Sequence, residues 1–290
     1  MIRKLHFYLK IFFLLLSKRL VPKDIIKNDY NSLAPTYDNY FSNFTKPHSS
    51  ELVKRLNVAN TARALDLACG TGIITSELRK YIARENKITA VDYSDGMINK
   101  AKEKAKENIE FICKDMIEAL DGFESESFDC VCCGWAIGYS YPLKMFEKIK
   151  RVLKHNGKLG IIENRFDTLL PLRETGIKVM QRYPGHIRHV MDLPLRLPKS
   201  KDHLRKLYIK AGLKPLETWE GEINFNFKNG TEVLNWALHT GASAGFDRIM
   251  DPAIRDKCDN AFIEIIEKDH KTGRGINIAH RYVAGIAQKA

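Results

Sequence analysis

Short apolar runs alternate along this chain with longer stretches whose apolar residues return every three or four positions. The runs 64–66, 87–91, 109–113, 128–133 and 158–163 are bounded by turn or charged residues, which predicts buried strands. Between them lie helical patterns at 49–56, from 73 onward, at 97–104 and at 143–155, the last stopped by Asn156-Gly157. Beyond Glu163 the pattern loosens into prolines and basic residues over 165–200. It then resumes with a helix at 202–211 ending at Gly212, strand material at 213–227, helices within 231–270 and a closing strand at 282–286. Strand alternating with helix predicts an α/β fold around a parallel sheet.

The run ALDLACGTGIITSE, 64–77, organises the rest. Its strand delivers Asp66 into a turn through Ala68, Cys69, Gly70, Thr71 and Gly72, and a helix follows directly. Glycine lets bare backbone approach a ligand, and the free N–H groups of the helix start point to the same place, so a small polar or nucleotide-like ligand is expected there. The next strand ends in Asp92, 20 residues past Gly72 (92 − 72), where a carboxylate in a βαβ unit can accept hydrogen bonds from ribose hydroxyls. A third strand ends in Lys114-Asp115-Met116, which offers another acid and an apolar cover for a base. A nicotinamide site shares the glycine turn and distant acid. Ile73 and Ile74, standing where G-x-G-x-x-G would need its third glycine, count against that reading.

The first 20 residues change the picture. An apolar run over 5–16 is broken by His6 and Lys10, preceded by Arg3-Lys4 and followed by Lys18-Arg19. On a helix His6, Lys10 and Ser17 share a narrow face, while Leu9, Phe12, Leu16 and Leu20 lie opposite. The run is shorter than the roughly 20 residues a membrane span needs, and no small-residue cleavage site follows. A helix lying in the headgroup region of an anionic membrane is expected, with a leader-like segment or a helix packed on the domain as alternatives. The formal net charge of +12 fits such a surface and also fits nucleic acid. The six cysteines fall mostly on strand positions and read as core residues in a reducing compartment. The spacing Cys130-Val131-Cys132-Cys133 is not that of a metal site.

The set DLACGTG, VDYS with MINKAKEK, KDM, FDCVCCGWAIGY and IKRVLKHNGKLGII resembles the class I S-adenosylmethionine-dependent methyltransferases, in the group acting on small or lipid-like molecules. The resemblance covers residues 30–165 well and the remainder in outline. It implies a Rossmann-like, doubly wound, mostly parallel seven-stranded sheet over 28–290, with cap insertions at about 165–200 and 231–270, preceded by the amphipathic segment 1–27. It implies S-adenosyl-L-methionine as cofactor, with Asp66, Gly70 and Gly72 around its methionine end, Asp92 on the ribose, Tyr93 and Met97 along the adenine, and Asp115 with Met116 at the adenine's amino edge. Tyr30 and Tyr37 match tyrosines that cover the cofactor. Ala68 departs from the family's first glycine.

Residues 134–139 should border the transferred methyl. They lack the Asn/Asp-Pro-Pro-aromatic run of enzymes that methylate base amines, and no double-glutamate loop marks a protein arginine enzyme. Nucleic acid is therefore disfavoured, and a small lipophilic acceptor is expected: a quinone, a phenol or a lipid headgroup. The expected location is cytoplasmic, on the inner membrane face. A methyltransferase of structured RNA and a non-catalytic cofactor-binding accessory protein are the competing readings. The catalytic base stays open, with Tyr139, His186 and His189 as candidates.

Overall fold

The computed structural model describes all residues except Met1, Lys106, 192–195 and 246–247, and the side chain of Ile2. Parts of both expected cap ranges, at 192–195 and 246–247, thus lie outside the described residues.

Among the described residues the strands form one seven-stranded sheet: β1 (Ala64–Leu67), β2 (Ile88–Asp92), β3 (Ile109–Cys113), β4 (Phe128–Gly134), β5 (Leu153–Asn164), β6 (Lys214–Phe227) and β7 (Ile276–Gln288), in the order β3-β2-β1-β4-β5-β7-β6. Strands β1 to β5 pair in parallel and β7 runs antiparallel to β5. β1 is buried along its whole length and β4 along most of it, which is why their sequences are continuous apolar runs rather than alternating ones. Crossovers are made by α4 (Ile73–Leu78), α5 (Asp95–Lys104), α6 (Met116–Gly122) and α7 (Pro142–Val152), with α3 (Asn43–Leu56) leading into β1. α7 buries Met145, Phe146, Ile149 and Val152, a 3–4 spacing that seats one stripe on the main core of Leu65, Leu67, Phe128, Val131 and Leu159.

Two expectations are corrected. The helix expected over 143–155 stops at Val152, and β5 begins at Leu153 rather than 158. Leu153 pairs with Phe128, the register then shifts, and Asn156 takes φ +62°, so 153–157 is a bulged strand entry and not a helix end. α3 begins at Asn43 rather than 49 and holds Pro47 inside it. Upstream, the segment 28–44, rich in turn formers, is largely helical, with α2 (Lys23–Leu33) and a π-helical turn Asp38–Ser42.

The chain falls into two compact units. One comprises 34–166, 193–221 and 281–290, and holds β1 to β5. The other comprises 1–33, 167–192 and 222–280, and contains α1 (Ile2–Leu16), α2, α8 (Leu170–Arg182), α10 (Gly230–His239) and α11 (Arg255–His270). Within the second unit Phe7 and Leu14 of α1 pack against Ile187, Val190 and Ile249. Leu5, Tyr8, Leu9, Phe12, Phe13 and Leu16 of the same helix stay exposed, Phe12 at 62% and Leu16 at 68%.

Candidate active site

The turn after β1 runs through three left-handed residues, Ala68 (φ +56°), Gly70 (φ +52°) and Gly72 (φ +86°). The two glycines do different work. A Cβ on Gly70 would meet nothing within 4 Å, so the backbone there faces open space. A Cβ on Gly72 would stand 3.2 Å from the Ala101 Cβ, so Gly72 lets the start of α4 pack on α5. Ala68 holds a glycine conformation despite its side chain.

Of the three acids expected at strand ends, Asp92 ends β2, Asp66 lies one residue inside β1 and Asp115 lies two residues past β3, and their surroundings differ. Asp66 is fully buried; its Oδ2 accepts from Thr75 Oγ1 at 2.5 Å, and burial raises its pKa to about 7. Asp92 is half-buried at the end of β2, with Oδ2 accepting from the Gly70 N–H and Oδ1 from the Ser94 N–H, both at 2.8 Å. Burial raises its pKa against those amide bonds. The Tyr93 N–H also bonds this carboxylate; each carboxylate oxygen can accept two hydrogen bonds, so one acceptor place remains for a hydroxyl. Asp115 is half-buried and caps α6, accepting from the Ile117 and Glu118 N–H groups. Met97 is buried at 2% exposure behind the Ser94 cap, whereas Tyr93 and Met116 keep half-buried surfaces.

The π-helical turn brings in residues that the sequence did not mark. Thr71 Oγ1 donates to Asp38 Oδ1 at 2.5 Å, Ser42 Oγ lies 3.3 Å from Thr71 Oγ1, and Lys104 Nζ donates to Asp38 Oδ2 at 2.6 Å. Burial pushes Asp38 upward, but the bonds from Lys104 and Thr71 win and hold it below the usual carboxylate value. This network ties the turn to the glycine loop and carries Tyr37 to the crevice. There burial, then the neighbouring Tyr139, Asp92 and Asp38, push the Tyr37 phenol well up. Tyr30 instead belongs to the other unit, where its ring lies where a Cβ on Gly241 would be.

Glu163 was also missed. At 1% exposure it accepts from the Gly138 N–H at 3.1 Å and holds the loop after β4; burial raises it to about 7. The candidate bases of the second unit are bound up in its surface. His186 Nδ1 lies 3.7 Å from Asp251, which also pairs with Arg188, and His189 Nδ1 lies 2.9 Å from the Arg248 carbonyl.

Open space at Gly70 and a half-buried carboxylate at Asp92 with acceptor capacity left over suit a nucleoside ligand. The family model described as a methyltransferase domain matches residues 64–157. This match marks residues 64–157 as a methyltransferase domain, and the sheet order above is that of the class I S-adenosylmethionine-dependent methyltransferases. Demethylmenaquinone methyltransferase of Lactococcus lactis subsp. lactis (strain IL1403) is 33% identical over 159 residues, 51% of this chain and 62% of that protein, less than two thirds of its length. That of Staphylococcus aureus (strain Newman) is 27% identical over 221 residues, 73% of this chain and 82% of that one. A Bacillus halodurans C-125 crystal structure described as a methyltransferase superposes with a TM-score of 0.54 at 18% identity, covering 83% of this chain and 98% of that one; this likeness bears on the fold alone.

Proposed function

We propose that this protein transfers a methyl group from S-adenosylmethionine to a small lipophilic acceptor of quinone type, working at an anionic membrane surface. The bound cofactor supplies a methyl group already activated on a sulfonium. The residues that hold it, on this reading, are Gly70 through open backbone, Asp92 through its spare acceptor capacity, Tyr37 as a cover, and Tyr93, Asp115 and Met116 toward the base. Asp66 and Gly72 support the turn from beneath. What the chain must add is alignment in a dry crevice, a contribution on the order of 7–11 kcal/mol.

Two observations support the acceptor and its location. The relatives named above are called demethylmenaquinone methyltransferases. Helix α1 is apolar on two sides: the Phe7 and Leu14 seam packs inward, and the arc of Leu5, Leu9, Phe12 and Leu16 faces out, next to Arg3, Lys4, Lys18 and Arg19. No described helix is long and apolar enough to cross a membrane. Such a surface lies on a bilayer rather than through it. The reading places the protein at the cytoplasmic leaflet, consistent with six free cysteines.

The test is calorimetric titration with S-adenosylmethionine, followed by methyl transfer to a demethylated quinol in vesicles containing phosphatidylserine. No uptake of the cofactor, or equal turnover with and without vesicles, overturns the corresponding half of the proposal.

A further inference from the structure

We propose that Phe41, Trp135 and Tyr282 form the acceptor site and that it takes a planar, uncharged ring. The inference rests on the methyl-transfer reading and adds the place and chemistry of the second substrate.

Its first support is backbone strain. Trp135 directly follows β4 and has φ +62°, a region bulky side chains avoid. Its surroundings hold it there: the backbone N–H donates to the Ile162 carbonyl at 2.7 Å and the indole Nε1 donates to Ser49 Oγ at 3.1 Å. Strain maintained in this way aims a side chain, and this one is aimed at the end of a central strand.

Its second support is a run of rings. Tyr37, the neighbour of the Asp38 that Thr71 of the glycine loop bonds, lies 5.3 Å from Phe41; Phe41 meets Trp135 edge-on at 6.1 Å; Trp135 meets Tyr282 edge-on at 5.6 Å. Tyr282 pairs with Asn164, the last residue of β5, and its hydroxyl is fixed 2.8 Å from His48 Nδ1. A Cβ on Gly221 would come within 2.2 Å of the Tyr282 ring, so a glycine is what allows the ring to lie there. The series therefore crosses from beside the glycine loop to β7. Tyr282 is buried at 4% exposure and forms the backing, whereas Tyr37, Phe41 and Trp135 are only half-buried and keep ring surface for a ligand. A purely structural aromatic cluster would gain more by closing completely.

Charge decides which of the lipophilic acceptors fits. Arg55, whose charge acts on Tyr282, is held by Glu51 and Glu217 and lies over the Trp219 ring. The wall thus offers π surface, and the Arg55 charge beside it is already paired, which suits a neutral ring better than a phosphate headgroup.

The test uses the full chain with S-adenosylhomocysteine present and 1,4-dihydroxynaphthalene as the ring probe. In a Trp219→Phe/Trp236→Phe background the probe should quench the remaining indole fluorescence. By calorimetry, Trp135→Leu should weaken probe binding about tenfold and Trp135→Phe should restore most of it. S-adenosylmethionine affinity should stay within about twofold of the parent in every variant. Should Trp135→Leu fail to fold, Phe41→Leu carries the same expectation. Probe binding indifferent to all these positions, a parallel loss of S-adenosylmethionine binding, or methyl transfer to phosphatidylethanolamine vesicles but not to the probe overturns the proposal. If the parent chain binds S-adenosylmethionine but the wall proves irrelevant, only this inference falls. If it binds none, the methyl-transfer reading falls too.

Discussion

The sharpest test of the loop after β1 is Ala68→Gly. Ala68 occupies φ +56° with a side chain in place, and the left-handed region costs an L-residue about 1–2 kcal/mol. Glycine removes that strain but frees the unfolded chain, which costs about 0.4–1 kcal/mol. The net gain is about 0.5–1 kcal/mol, and at about 2–4 °C per kcal/mol for a domain of this size the melting temperature should rise by about 1–4 °C. The same arithmetic with opposite sign applies to Gly70→Ala, since its Cβ would meet open space and only the φ of +52° is strained. Gly72→Ala should be worse, because the 3.2 Å approach to Ala101 adds to a φ of +86°. Thermal melts should therefore rank Ala68→Gly above the wild type, then Gly70→Ala, then Gly72→Ala. Calorimetry with S-adenosylmethionine should reverse the last pair, because Gly70→Ala fills the open space that the cofactor needs. An Ala68→Gly protein that melts at or below the wild type, or a Gly72→Ala protein that binds cofactor worse than Gly70→Ala, would refute this account of the turn.

Other expectations follow from the same geometry. Asp92→Asn forces an amide donor against a backbone N–H group and removes the charge; its affinity for S-adenosylmethionine should fall about 10- to 100-fold, and an unchanged titration would exclude Asp92 from the site. Asp66 and Glu163 keep their protons to about pH 7 when folded, against ordinary values of 3.8 and 4.5. Between those limits the native state holds more protons than the unfolded chain, so stability should fall as pH rises, by at most about 1.4 kcal/mol per pH unit per group. Urea midpoints at pH 5.5 and 7.5 should show this loss, and Asp66→Asn should remove its share; a slope of opposite sign, or one unchanged in the variant, would refute it. Serine at Leu9, Phe12 and Leu16 together removes three side chains exposed by about 60%, each worth about 1–2 kcal/mol on burial. Cosedimentation with phosphatidylserine vesicles should drop at least about 100-fold while the melting temperature holds, because the three side chains are exposed and lie on the side of α1 away from Phe7 and Leu14. Equal sedimentation would remove α1 from the membrane.

The parts of the site carried by a single strand and its turn were legible beforehand. Apolar runs specify β1 to β4 because a strand buried on both faces has no polar alternation to hide it, and the acids at 66, 92 and 115 follow from where those runs end. The bulged entry to β5 was not legible, because Leu153 is drawn into the sheet by Phe128, a partner 25 residues away (153 − 128) that no helical periodicity reports. Nor was the helical character of 28–44, whose turn-forming residues are overridden by the network joining Asp38, Thr71 and Lys104.

The sequence by itself determined the glycine turn after β1, the acid at the end of β2 and an amphipathic first helix, all properties of neighbours along the chain. Only the tertiary structure decided that α1 is apolar on two opposite sides, that Glu163 is a buried acid and that Trp135 is held in a left-handed conformation among Phe41, Ser49 and Tyr282. Those features depend on pairs of residues far apart in the chain. Burial and strain are set by what finally packs against a side chain, which its local pattern does not record.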